Sequence, residues 1–308
     1  MVVTTYAEGA FGILSGSPYA CLDELRAQGI YNSGKVVGFT QCNDNSVKDI
    51  MVMYWRGSRK ILSNLINWFK FSETSGTTSY DEGDGANNVS LISGAAFTTG
   101  MDSTISGVGA LFLSGSLGTA YNVSGHCTVP ANATLVNGIG SVSLWVKTLA
   151  TGIDQTIFEI VPYSDFDGVL SLGAYFRLFI DALNKPSFEF MNYTPVTTYN
   201  ADHINVSGAS AITLDSWTHI GATSDGSTTR LYVNGSEQGV GSTSGVNVGQ
   251  WVADLVMSGG TSSHVRNIGY HTISGTIGSY FSGSIDNVRL TNSVFNSEEM
   301  MQLYDARL

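Results

Sequence analysis

The strongest constraint on this chain is the spacing of its apolar residues beyond residue 63. They fall in short runs: Ile66–Phe71, Gly109–Leu113, Ser141–Lys147, Thr156–Val161, Ala174–Ile180, Ser187–Met191, Trp217–Thr223, Thr229–Val233 and Ser284–Leu290. Each run spans five to seven residues, too short for an ordinary amphipathic helix, and several alternate apolar with polar residues as a half-buried strand does. Turn formers separate them, as in Asp225-Gly226-Ser227 and Asn234-Gly235. With 36 glycines and only 5 prolines, the 308 residues favour many short strands joined by turns, and a hydrophobic share of 43% is enough to bury a core. Some nine to thirteen strands in the last 240 residues or so predict a large two-sheet sandwich, closed by one helix over Asn296–Tyr304. In that helix Asn296 or Ser297 caps the first turn, and Met300, Met301 and Tyr304 form an apolar stripe that packs on the sandwich.

Residues 1–62 read differently. Ser17 and Pro18 open a predicted helix and Gly29 closes it, and Lys35–Gln41 and Asp49–Trp55 form a predicted hairpin about the turn at Asn43–Ser46. So small an α+β unit has a thin core and is expected to need a partner. It holds six basic and five acidic side chains, whereas the remainder holds eight and twenty. The basic residues include Arg56, Arg59 and Lys60, which are candidate contacts to an acidic partner surface.

Several function classes are disfavoured. A formal charge of −11 argues against nucleic-acid binding through phosphate neutralisation. No apolar run approaches the roughly 20 residues of a membrane-spanning helix, and no secretory signal pattern is visible at the N-terminus. Cys21, Cys42 and Cys127 lack zinc-site spacing and read as free thiols. No nucleophile elbow or Walker loop is present. Glu159–Asp165 comes nearest to an alternating pair of acids, but Pro162 and the interval break the alternation. His219 reads as a core histidine, and Trp68, Trp145 and Trp217 as packing between the sheets.

The order of the motifs from residue 64 onward resembles the laminin-G-like, concanavalin A-like domains. Asn67–Thr78 is similar to their opening strand and turn, and Tyr80–Asn88 to their Gly/Asn/Asp-rich loop. Gly109–Leu113 and Val142–Lys147 take the place of two central strands. Ser216–Ala222, Asp225–Gly235, Phe281–Leu290 and Ser297–Tyr304 follow in the family order. The fold implied is mainly β: a two-sheet antiparallel jelly-roll sandwich over 63–308, preceded by the small α+β module of 1–62. The resemblance does not assign an activity, because one fold hosts many functions.

Two surface regions are site-like. Asp81, Asp84 and Asn87 lie in one glycine-rich loop, and oxygen-rich loops suit calcium. The resemblance supplies Asp286 as the distant fourth ligand. The alternative is that Asp81 and Asp84 only cap turns. A second acidic turn, at Asp165 and Asp167, reads as solvated. Sugar binding is assigned to Tyr193, Tyr199 and Asn200 in a long loop and to Trp251 after another, since aromatic faces and planar amides hold sugars. No catalytic set is found, so the expectation is a non-enzyme.

The layout of a short attachment unit and an all-β head resembles bacteriophage structural proteins. It implies a capsid decoration, head-fibre or tail-fibre component, made in the host cytoplasm and displayed on the virion surface. Its partners would be other virion proteins through residues 1–62, a host-surface polysaccharide and copies of itself, a trimer by analogy. The rivals are a free-standing, extracellular carbohydrate-binding module and a polysaccharide hydrolase or lyase.

Overall fold

Alternation decides which side of each strand faces inward. In Ser141–Lys147 the even positions Val142, Leu144 and Val146 are fully buried in the core, while Ser143, Trp145 and Lys147 point to the opposite face. The same rule sends Phe176, Leu178 and Ile180 inward and Tyr175, Arg177 and Phe179 outward. A computed structural model describes residues 2–6, 9–13, 36–39, 52–54, 65–84, 87–100, 109–114, 126–132, 138–162, 174–191, 203–239, 247–255, 264–273 and 276–305.

The chain divides into two compact units, Met1–Ile61 and Leu62–Leu308. In the first, β1 (Val2–Tyr6) pairs with β2 (Gly9–Ile13), and β3 (Val36–Phe39) pairs antiparallel with β4 (Val52–Tyr54) as the predicted hairpin requires. The predicted helix after Ser17, and Arg56, Arg59 and Lys60, lie outside the described residues.

The second unit is a sandwich of two large antiparallel sheets. Its strands begin with β5 (Leu65–Phe69), β6 (Thr78–Ser79), β7 (Val89–Ile92), β8 (Ala96–Thr99), β9 (Gly109–Leu113) and β10 (His126–Asn132). The central strands are β11 (Gly140–Thr148), β12 (Gln155–Pro162), β13 (Tyr175–Ile180), β14 (Pro186–Met191), β15 (Ile204–Ser207) and β16 (Thr218–Ser224). They are followed by β17 (Thr229–Val233), β18 (Ser236–Gly239), β19 (His264–Ile268), the small hairpin β20 (His271–Ile273) and β21 (Thr276–Gly278), and β22 (Gly283–Thr291). One sheet has the order β15-β14-β13-β12-β19-β10-β7-β6, and the other β18-β17-β16-β11-β22-β9-β8 with β5 also on β22. All nine predicted runs are strands. The additional ones are short or polar: β7 buries only Val89 and Leu91, and β8 is largely exposed.

Turn chemistry fixes the registers. Asn234 and Gly235 both have positive φ (49° and 73°), the geometry a two-residue hairpin needs, and join β17 to β18. Asp181 Oδ1 accepts from the Leu183 and Lys185 amides, closing the turn that pairs Ile180 with Pro186.

The closing helix α1 (Ser297–Asp305) is capped by Asn296, not Ser297. Asn296 Oδ1 accepts from the Glu299 amide and Glu299 Oε2 accepts from the Asn296 amide, both at 2.9 Å. Met300 and Leu303 are buried, and Tyr304 stacks on Trp145 at 5.6 Å, while Met301 is 37% exposed. Trp145 therefore packs under α1 rather than between the sheets. Trp68 and Trp217 are half-buried and are overlain by Lys70 and Lys147 respectively, so none of the three tryptophans fills the inter-sheet core.

Candidate functional site

The calcium reading meets a geometric obstacle. Asp81 Oδ1 accepts from the amides of Trp68 and Gly83, and Oδ2 from Asn67 Nδ2 and the Asn87 amide, at 2.6–3.0 Å. Four N–H dipoles aimed at one carboxylate leave it committed as a turn hub, the alternative already open from the sequence. Asp286 does not join it. Asn67 lies opposite Leu290, on the core side of β5 and β22, and holds Asp81 there. Asp286 is on the other face, opposite Trp145. The two carboxylates accordingly act on different cations: burial pushes the pKa of Arg266 and of Arg289 down, and Asp81 opposes that at Arg266 while Asp286 opposes it at Arg289. Among the described residues no three His, Cys, Asp or Glu side chains converge on a metal position. The set Asp81, Asp84, Asn87 and Asp286 does not fit a shared calcium ion.

The sugar-binding candidates also redistribute. Tyr193, Tyr199 and Asn200 lie outside the described residues, as do Asp165 and Asp167. Trp251 is 2% exposed and packs edge-on against Phe176 at 4.8 Å. It is a core residue, buried with Val252 and Leu255 in the main apolar cluster, and it offers no face to a sugar.

A site the sequence reading passed over lies on the outer face of the β12–β15 sheet. Cross-strand register aligns Asn267, Glu159, Arg177, Glu189 and Asn205 in one polar row across five strands. Glu159, second in the row, is fully buried. Its Oε2 accepts from Asn267 Nδ2 at 2.7 Å and from the Thr272 amide at 3.1 Å, and its Oε1 is partnered by His271 Nδ1. The β20 strand thus sits over the row, clasped by a carboxylate from β12.

Two strands away, Glu189 Oε2 accepts from Arg177 Nε at 2.6 Å and Oε1 meets His203 Nε2 at 2.8 Å. Burial pushes the Glu189 carboxyl up, but the Arg177 charge and the hydrogen bonds from His203 and Arg177 outweigh it and hold it below the usual range. Burial, reinforced by the Glu189 charge, pushes the Tyr175 phenol far above its ordinary value, so it stays neutral. The Arg177 guanidinium is clamped in orientation. Its Cζ lies 4.1 Å from the Phe179 ring centre and 5.5 Å from that of Tyr175.

Only Nε of Arg177 is spent on Glu189. Its Nη2 faces Asp154 Oδ2 across 3.9 Å, too far for a hydrogen bond, and the Asp154 side chain is 43% exposed against 10% for Arg177. A fixed donor edge and an exposed acceptor, with a gap between them, can hold a hydroxyl group that accepts from one and donates to the other. The signal for part of this was in the sequence: the Asp181–Lys185 turn, once recognised, places Arg177 opposite Glu189.

Residues 121–301 match Laminin_G_3, of the concanavalin A-like lectin/glucanases superfamily. The chain belongs to the Laminin_G_3 family. Solved structures with the same fold include domain 4 of AbnA, an extracellular arabinanase from Geobacillus stearothermophilus, in complex with arabinotriose. It has a TM-score of 0.53 and 16% identity, with 78% of this chain and 98% of that one covered. The binding domain of Paraclostridial Mosquitocidal Protein 1 gives 0.52 at 13% identity, with 81% and 53% covered. The receptor binding domain of botulinum neurotoxin type G gives 0.50 at 14%, with 80% and 52% covered. The Laminin_G_3 chain thus spans about half of each toxin structure. No curated protein matches it in sequence.

Proposed function

We propose that the Laminin_G_3 unit is a non-catalytic glycan-binding module and that the whole chain is a virion structural protein displaying it to a host-surface polysaccharide. The observation that carries the binding reading is the Arg177–Asp154 couple, an oriented guanidinium edge whose Nη atoms make no hydrogen bond among the described residues, 3.9 Å from an exposed carboxylate. A ligand rich in hydroxyl groups satisfies both partners at once, and oxygen at about 2.8 Å from each subtends an angle of about 90°, acceptable for a hydroxyl. The arabinotriose complex of AbnA domain 4 is in keeping with sugar binding on this fold. The virion reading rests on the layout alone: a small unit, Met1–Ile61, ahead of a strongly acidic head. In it the first unit attaches the head to the particle.

A glycan array probed with the full chain tests the binding reading. Saturable binding to at least one glycan is expected, weakened about tenfold or more in Arg177→Lys, because an ammonium keeps the charge but loses the planar fork. No reducing ends or unsaturated products should form from the bound glycan. Absence of binding across the array overturns the reading, and product release replaces it with a catalytic one.

A further inference from the structure

Three carboxylates reach the polar row, and they differ in what their oxygens already hold. Both oxygens of Glu159 are partnered, by His271 on one side and by Asn267 and the Thr272 amide on the other. Both oxygens of Glu189 are partnered, by Arg177 and His203. Asp154 is different. Its Oδ1 accepts from the Ala182 amide at 3.0 Å, and Oδ2 carries no hydrogen bond among the described residues. That free oxygen points at the unspent edge of Arg177 from an exposed position at the start of the β12–β13 sheet region.

We propose that Asp154 is a specificity-determining residue: it admits neutral, hydroxyl-bearing sugars to the Arg177 edge and excludes carboxylated ones. The inference rests on the glycan-binding reading above. A sugar hydroxyl can accept from Arg177 Nη2 and donate to Asp154 Oδ2 together, so the two bonds reinforce each other. A sugar carboxylate can only accept. It would suit Arg177 in a bidentate pair, but it would stand beside Asp154 with no proton between them, and the two like charges repel. The partnered Glu159 and Glu189 behind Arg177 add to that field, as does the net charge of −11. Exclusion of this kind is set by one unfavourable contact rather than by better contacts to the preferred ligand.

Asp154→Asn isolates the charge. An asparagine can keep the acceptor for the Ala182 amide while its amide group presents a donor where Oδ2 stood, so that position and Arg177 would together receive a carboxylate. Neutral glycans retained by the wild-type full chain on a broad array are compared with their C6-oxidised, carboxylate forms. The expected result is wild-type preference for the neutral member by about tenfold or more, and a preference reduced at least about tenfold in Asp154→Asn at an unchanged melting temperature. Equal or better wild-type binding of carboxylate forms overturns the proposal, as does an unchanged ratio in the variant. Binding of no glycan by either protein overturns the glycan reading itself, and this inference with it.

Discussion

Asp81 shows how one residue can look like a metal ligand and act as a scaffold. Its carboxylate gathers Asn67, the Trp68 amide, the Gly83 amide and the Asn87 amide, tying β5 to the loop that follows β6. Gly83 is required there, since a Cβ would sit 2.9 Å from Leu65 O and Asn67 Cα. Replacing Asp81 with alanine leaves four donors without their acceptor, and buried donors left without a partner cost about 1–3 kcal/mol each. Because the loop is partly exposed and water replaces some of these bonds, the expected loss for Asp81→Ala is about 2–3 kcal/mol in chemical unfolding. The same loss should appear in chelator and in millimolar calcium, and the wild-type melting temperature should not move between them. A calcium-dependent rise that disappears in Asp81→Ala would restore the ion to this loop. The sequence could not separate these outcomes, because the residue types that ligate calcium are also those that cap turns.

The elements legible in the sequence were those whose inward positions are apolar. β19 escaped because two of its three inward positions are the buried His264 and Arg266, and Ile268 alone is apolar there, so the strand lacks the alternation of a core strand. The polar row escaped for a related reason. Arg177 opposite Glu189 follows from a local turn, but Glu159 beside Asn267 and His271 depends on β12 pairing with β19 more than a hundred residues away. Trp145 lies outside the inter-sheet core because α1 gives the second sheet a covered outer face that periodicity alone does not announce. Under that helix His219 is fully buried beside Trp145 and Tyr304, and no described residue hydrogen-bonds its ring. Burial, and then the Arg289 charge, push its pKa down to about 3. With the folded value depressed, the unfolded chain takes up a proton first as pH falls, so the stability contributed by neutral His219 is complete above about 6.5 and declines from there down to about 3. Between pH 7 and pH 5 that amounts to about 2 kcal/mol. His219→Leu should lose about 2 kcal/mol less than wild type over this interval in urea unfolding followed by Tyr and Trp fluorescence. Identical pH slopes for the two proteins would show that α1 does not seal an uncharged imidazole.

At the scale of the whole molecule, the sandwich carries a continuous core from Ile66 through Leu290, whereas the first 61 residues form a separate small unit built around two described hairpins. A core of that extent makes the larger unit self-sufficient, and a unit of about 60 residues is marginal by itself. The proposed division of labour follows: the larger unit meets the glycan and the smaller one gains its stability from assembly. It predicts that the full chain is an oligomer, a trimer on the fibre analogy, and that the fragment Leu62–Leu308 is a folded monomer. Light scattering gives the two masses, and the array gives the fragment the same glycan preference with lower apparent affinity, because several linked heads bind a surface more tightly than one. A monomeric full chain would remove the self-assembly role from residues 1–62 and leave attachment to another protein as their task. An oligomeric fragment would move the contact onto the sandwich itself, where the exposed side chains Leu149, Leu183 and Leu214 would be the first to substitute with charged residues.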